Sequence, residues 1–555
     1  MKGVGRTVFS GNQIEEFQVD VLGVLDNIGP KESLILARLS GGPLEHTGVL
    51  QGMSGSPVYI DGKLVGAVAM AFAYSKDPIA GIRPIEEMVG RGTPVSAPAA
   101  APSRALLDNN LFRNFPKPRA VMAGESRLTD IATPVSFAGF SRETLEAFAP
   151  QLRTLGFEPL QGVGTGARIE PGLGNPADLK PGSMISVQLM AGDLSVGADG
   201  TVTHVDGNRV YSFGHRFLGA GTTALPFARS EVITLLPALN TSFKLSIARE
   251  WMGTISQDMD TTIYGETGKL PQLAPVNVTI SREGLRVESY RMQMVNDPLL
   301  TPLLVQMAIS SIIDSTERAV GTATVRLTGT AEFYNTPAPV RINTLQASEN
   351  GAAILASAGA ASGIAYVLQS GYKGVGLKSM ELNIDVSQTK KMLNIDGVTV
   401  SREQIKPGET VRVNVSLVGE NGVEVTKYVD YHAPIGAEPG ILYFTVADAS
   451  TTNIADFRQT VAATPRSIDQ VVSTVNNLHP NNKAYVRVWR AVPSYQLEGS
   501  ELPDPAPSAA LILGGTQTNL PGISQTRNSK IGEMEIDAGD MSVAGSKTVQ
   551  VEIKE

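Results

Sequence analysis

Runs of Val, Ile, Thr and aromatic residues, each about a strand long and closed by Gly, Asn, Asp or Pro, recur along most of this chain. With 56 glycines and 34 prolines in 555 residues, few windows remain long enough for helices, so the rhythm predicts a mainly β protein. One hydrophobic core rarely serves so long a chain, and several domains are expected. The absence of cysteine removes thiol catalysis, disulfides and thiolate metal sites. A net charge of −8 supplies no basic footprint for nucleic acid, which is therefore not an expected partner.

The rhythm divides the chain. Residues 1–92 alternate strand-like runs (TVFSG, FQVDVLGVL, SLILARL, SPVYI, KLVGAVAMAF) with turn residues, at the spacing of a small antiparallel barrel. Residues 93–118 open with TPVSAPAAAPSRA, whose Pro, Ala and Ser resist both helix and ladder, and read as a linker. Residues 119–165 read as a small α/β insert: a strand, PVSFAGF, then a helix capped by Ser141, ended by Gly156 and kinked or shortened at Pro150. Residues 166–345 return to strands, with Asp206-Gly207 as a hairpin signal, and read as a second β-barrel plus a packing helix from about 298 to 315. Residues 346–555 read as a helix followed by a β-sandwich-like region. Ala352 to Leu368 is short and rich in Ala, Gly and Ser, which favours a buried helix over a membrane span. The opening MKGVGRTVFSGNQ holds no apolar stretch of signal-peptide length.

The segment richest in chemical meaning is GMSGSPVYIDGKLVGAV, from Gly52 to Val68. Gly52 and Gly55 permit a tight, partly left-handed backbone that turns successive amides to one side, as an oxyanion hole requires. In such a loop the N–H groups of Gly52 and Ser54 face a developing oxyanion while the Ser54 hydroxyl attacks. Ser56 reads as a turn hydroxyl. A serine needs a base. Of five histidines, His46, His204, His432 and His479 read as ordinary surface or strand residues. His215 differs: it closes the hairpin GTVTHVDGNRVYSFGH and opens onto glycine-rich chain.

Gly52 to Val68 resembles the nucleophile loop and hairpin of chymotrypsin-clan peptidases, and more closely the SpoIVB family of bacterial sporulation serine peptidases. That resemblance puts the nucleophile at Ser54, and the family's second motif, a hairpin closing on Gly-His, puts the base at His215. It implies a chymotrypsin-like double β-barrel, a protein or peptide substrate, no cofactor, and a location outside the cytoplasm, with an export signal beyond this sequence. Two features depart from the family. The serine block precedes the histidine block by about 160 residues, the reverse of the usual order, which implies a permuted arrangement. The family's acid lies shortly before its nucleophile, and here that stretch is Leu39-Ser40-Gly41-Gly42-Pro43.

The third catalytic group must therefore be sought by its task, which is to accept from the far nitrogen of His215. Asp258 follows His215 by 43 residues in the same expected barrel, a spacing similar to that between base and acid in chymotrypsin-type chains. Asp260, Glu45, or a dyad oriented by Ser40 or by a backbone carbonyl remain open. Gly162-Val163-Gly164-Thr165-Gly166 lacks the helix and acidic residue of a dinucleotide fingerprint, and Asp258-Met259-Asp260 does not continue into a calcium loop, so no metal site is expected.

Overall fold

A computed structural model describes residues 1–29, 31–72, 77–89, 120–123, 126–162, 169–238, 241–282, 287–316, 322–460, 465, 467–497, 500–503, 505–514 and 523–555. The expected linker at 93–118, and Val163 to Gly166, lie outside the described residues. The protein is mainly β, with five sheets among the described residues.

The first sheet is built on β1 (Lys2–Ser10), β2 (Gln13–Gly29), β3 (Glu32–Ser40), β4 (Pro57–Ile60), β5 (Lys63–Phe72) and β6 (Ile79–Pro84). Its order is β4-β1-β2-β3-β6-β5, and β5 pairs back onto β4, so six antiparallel strands close a ring around Phe17, Leu39, Val58, Val68 and Ile82. Two further strands, β7 (Ala120–Ala123) and β8 (Ser126–Asp130), extend it from β5.

The second and largest sheet contains β9 (Thr133–Ala138), β10 (Phe157–Gln161), β11 (Glu170–Leu173), β12 (Met184–Gly192), β13 (Ser195–Asp206), β14 (Arg209–Ser212), β15 (Gly221–Leu236), β16 (Phe243–Met259) and β17 (Thr262–Thr267). The order β13-β14-β17-β16-β15-β12 closes because β12 also pairs with β13, giving a second ring of six antiparallel strands. The segment expected as a separate insert is shared between the sheets: β7 and β8 join the first, while in the second β9 pairs with β13 and β10 with β9. Beyond the ring the sheet runs on through β18 (Ala274–Arg282), β19 (Glu288–Met294), β20 (Ala323–Phe333), β21 (Val340–Ser348) and β22 (Leu377–Ser387).

Helices cover that extension. Leu300–Thr316 and Ala352–Leu368 share a core with it, and the second helix is buried along most of its length. Among the described residues no helix is long and apolar enough to cross a membrane. Ser141 caps the helix Arg142–Thr154 by accepting from the Thr144 amide at 3.2 Å. That helix continues past Pro150, which lies on its exposed side where a freed carbonyl meets water, and it ends before Gly156 at φ +87°. Near the C-terminus a four-stranded and a five-stranded sheet share one core, built by alternation such as Val411, Val413, Val415 and Leu417 in TVRVNVSLV against Phe444 and Val486.

Candidate active site

Ser54 sits in the loop between β3 and β4, and His215 in the loop between β14 and β15, so each ring contributes one of the two. The loops meet on β13. Its Thr201 amide donates to the Ser54 carbonyl at 2.9 Å, the Thr201 hydroxyl to the Gly52 carbonyl at 2.8 Å, and the Thr203 hydroxyl to the Gly55 carbonyl at 2.7 Å. Gly55, at φ +91°, is obligatory: a Cβ there would lie 2.1 Å from the Thr201 carbonyl oxygen and 2.5 Å from the Phe213 nitrogen. Directly after Phe213, a Cβ at Gly214 would lie 3.1 Å from the Val68 carbonyl oxygen of the first ring. Phe213, fully buried, is held at φ +72°, a conformation costly for an aromatic residue and maintained only by the packing around it.

Four loop amides are engaged. Gln51 donates to Ser242, Met53 to Leu50, Gly55 to Val68 and Ser56 to Met53, all backbone carbonyls at 2.7–3.1 Å. The amides of Gly52 and Ser54 alternate with these and have no acceptor among the described residues. The Ser54 hydroxyl and the Nε2 of His215 are likewise buried without a hydrogen-bond partner, and so are not bonded to each other. Ser54 is 0% and His215 2% exposed. Buried polar atoms without partners are rare, and this junction gathers several.

The Nδ1 of His215 lies 2.7 Å from the Arg216 carbonyl. A carbonyl only accepts, so Nδ1 carries the proton and Nε2 of the neutral ring is a free acceptor. Burial pushes the imidazole below its usual pKa, partly offset by the negative charge of Asp130 and the Arg216 hydrogen bond, while Arg83 and Arg216 push the same way as burial.

Asp258, expected as the orienting acid, is buried but turns its carboxylate elsewhere: Oδ1 accepts from the Phe217 amide at 2.7 Å, Oδ2 from Leu218 at 2.7 Å and Ala220 at 3.1 Å. It fixes the chain that follows His215 instead of the ring. Burial raises its pKa and those amides draw it back down. Asp260 is exposed and faces Arg216 at 3.6 Å, and Glu45 is exposed on a short helix. Ser56 donates to the Thr7 hydroxyl at 3.1 Å.

Sequence reasoning missed Asp130 and Lys244. Asp130 pairs in register with Met70, next to the Val68 and Ala69 that touch Gly214, and it is the carboxylate whose field reaches His215. Lys244 lies fully buried beneath Gly52. Its signal was available: Lys244 and Ser246 lie on the inward phase of a strand, with Ser242 in the same phase just before it, where apolar residues are the rule.

Of the remaining histidines, His46 is exposed, His204 stacks on Tyr211, and His432 bonds the Thr410 hydroxyl. His479 lies with Asp456 and Glu533, their ligand atoms within 4.8 Å of one another, close enough to hold a cation. Arg487 already bridges the two carboxylates at 2.7 and 2.8 Å, and Lys530 joins Glu533 at 2.8 Å, so this is a neutralised ion-pair network.

Two closed rings of strands thus bring a buried serine and a tautomer-fixed histidine to one junction of a mainly β protein. Residues 4–89 match the family model described as SpoIVB peptidase S55, a likeness to the SpoIVB-type serine peptidases that this region carries. The match takes in the first ring and Ser54 and ends before His215. No curated protein and no solved structure matches the chain.

Proposed function

We propose that the chain is a serine endopeptidase acting on protein substrates outside the cytoplasm, with Ser54 as nucleophile and His215 as general base. The observation that carries this reading is the set of unengaged groups at one junction: the Ser54 hydroxyl, the His215 Nε2, and the amides of Gly52 and Ser54. Ser54 attacks the scissile carbonyl and its proton passes to Nε2. The two amides receive the oxyanion, where preorganised donors in a dry site act most strongly. The tetrahedral intermediate collapses as the imidazolium protonates the leaving amine, and water then hydrolyses the acyl-enzyme by the same proton route. The Arg216 carbonyl orients the ring, Asp258 anchors the chain after it, and the charge of Asp130 favours the imidazolium.

The hydroxyl and the imidazole tighten into a hydrogen bond when substrate binds, as catalytic pairs in unliganded sites often do. The paired rings, one bringing the nucleophile and the other the base, support a chymotrypsin-like double barrel with its halves in permuted order. The rival reading is a catalytically silent exported scaffold. It draws on the absence of a hydrogen bond between Ser54 and His215 and on the use of Asp258 for loop amides.

A fluorophosphonate probe decides between them. The folded wild type labels, and Ser54→Ala and His215→Ala do not. Undiminished labelling of Ser54→Ala, or none of the wild type, overturns the peptidase.

A further inference from the structure

Lys244 is the least explained charged group in the molecule. It is 0% exposed, and its Nζ donates to the Thr7 hydroxyl at 2.7 Å and approaches the Met184 sulfur at 3.6 Å. Neither of those partners is an anion. A buried ammonium without a directly bonded carboxylate is costly enough that such groups are retained where they do something. Its surroundings point to the nucleophile loop. The Lys244 amide donates to the Gln51 carbonyl at 3.2 Å, and a Cβ on Gly52 would lie 3.4 Å from the lysine Cδ and 3.5 Å from its Cβ. Thr7, which receives the ammonium, also receives the Ser56 hydroxyl at 3.1 Å. One side chain of the second ring thus lies under Gly52 and, through Thr7, reaches the far end of the loop at Ser56.

We propose that Lys244 is a positioning residue, which pins the Gly52–Ser56 loop of the first ring to the second and so holds the oxyanion amides in place. This rests on the peptidase reading above. It also implies a second ionisation in the activity of the site. The groups facing Lys244 are Asp199 and Glu15, both attractive, the hydroxyl of Thr7, the Met184 sulfur, and the Phe9 ring 5.9 Å away. Burial outweighs them and brings Lys244 down to about 7, while burial raises Asp199 to about 6. Below pH 7 the pin carries a poorly solvated charge, and above it the amine is neutral. In the opened loop the amine regains its ordinary value of 10.5, so closure is favoured as pH rises above about 7, in addition to the deprotonation of His215.

Two readouts test this on the full chain. Hydrogen exchange of peptides covering 50–58, corrected for intrinsic rates, is compared for wild type, Lys244→Met and Thr7→Val. Methionine keeps the stem without the amine, and valine keeps the lysine but removes its acceptor. Both variants are expected to exchange about tenfold faster in this loop, the weight of one buried hydrogen bond. In parallel, wild-type fluorophosphonate labelling rises through two ionisations, and Lys244→Met loses the upper one. Wild-type exchange in either folded variant, or an unchanged pH profile in folded Lys244→Met, overturns the proposal. If Lys244→Met does not fold, Thr7→Val decides. A wild type that never labels defeats the peptidase reading, while the exchange data still judge the pin.

Discussion

The imidazole Nδ1 of His215 lies 2.7 Å from the carbonyl oxygen of Arg216, so a backbone group, and not a side chain, sets which ring nitrogen is basic. Because burial lowers the pKa of this histidine, its ionisation falls below the usual 6.5. Labelling of Ser54 is expected to complete its first rise below pH 6.5. The unfolded chain binds the proton more readily than the folded one in this window, so stability rises with pH between the folded pKa and 6.5. His215→Gln flattens that slope, which denaturant titrations at several pH values measure.

Asp258→Asn keeps one acceptor and turns an amide donor toward backbone N–H groups that now meet a carboxylate. A loss of about 3 kcal/mol in denaturant unfolding is expected. Labelling of Ser54 is expected to fall by at least about tenfold, because His215 rides on the chain that Asp258 anchors.

Gly55 and Gly62 both have positive φ, +91° and +74°, but differ in surroundings: a Cβ at Gly62 meets nothing within 4 Å. Gly62→Ala is expected to cost about 1 kcal/mol from backbone conformation alone. Gly55→Ala adds a clash with the second ring and is expected to cost about 3 kcal/mol or more, with loss of labelling. Thermal unfolding of the two variants side by side checks the difference.

Burial works to raise the pKa of Glu533, but His479, Lys530 and Arg487 together hold it far below the usual carboxylate range. Its contribution is present above the unfolded value of 4.5 and is lost as pH falls toward the folded one. Glu533→Gln is expected to destabilise the C-terminal sheets by about 3 kcal/mol at pH 7. The gap between variant and wild type closes on acidification, as denaturant midpoints from pH 7 to pH 3 measure.

The strand rhythm, the Ser141 cap, the buried helix at Ala352–Leu368 and the two loops bearing Ser54 and His215 were legible because each is a local pattern of residue types. Other features depend on partners far apart in sequence. Alternation tells which face of a strand is buried but not which strand lies beside it, so the closures of β5 onto β4 and of β13 onto β12 could not be read. The same limit hid Asp130, which comes near His215 only because β8 pairs with β5. Spacing singled out Asp258, but the number of backbone amides pointing at it decides what it holds.

The order of the two rings along the chain carries a consequence for how this protein is made. The strands of the first ring are complete at Pro84, while those of the second are not all present until Thr267. During synthesis from the N-terminus, where domains fold as they emerge, the serine-bearing half is finished while its histidine is still untranslated. On the proposed mechanism the nascent chain then holds a nucleophile without its base, and reactivity waits until the second ring is complete and packed against the first.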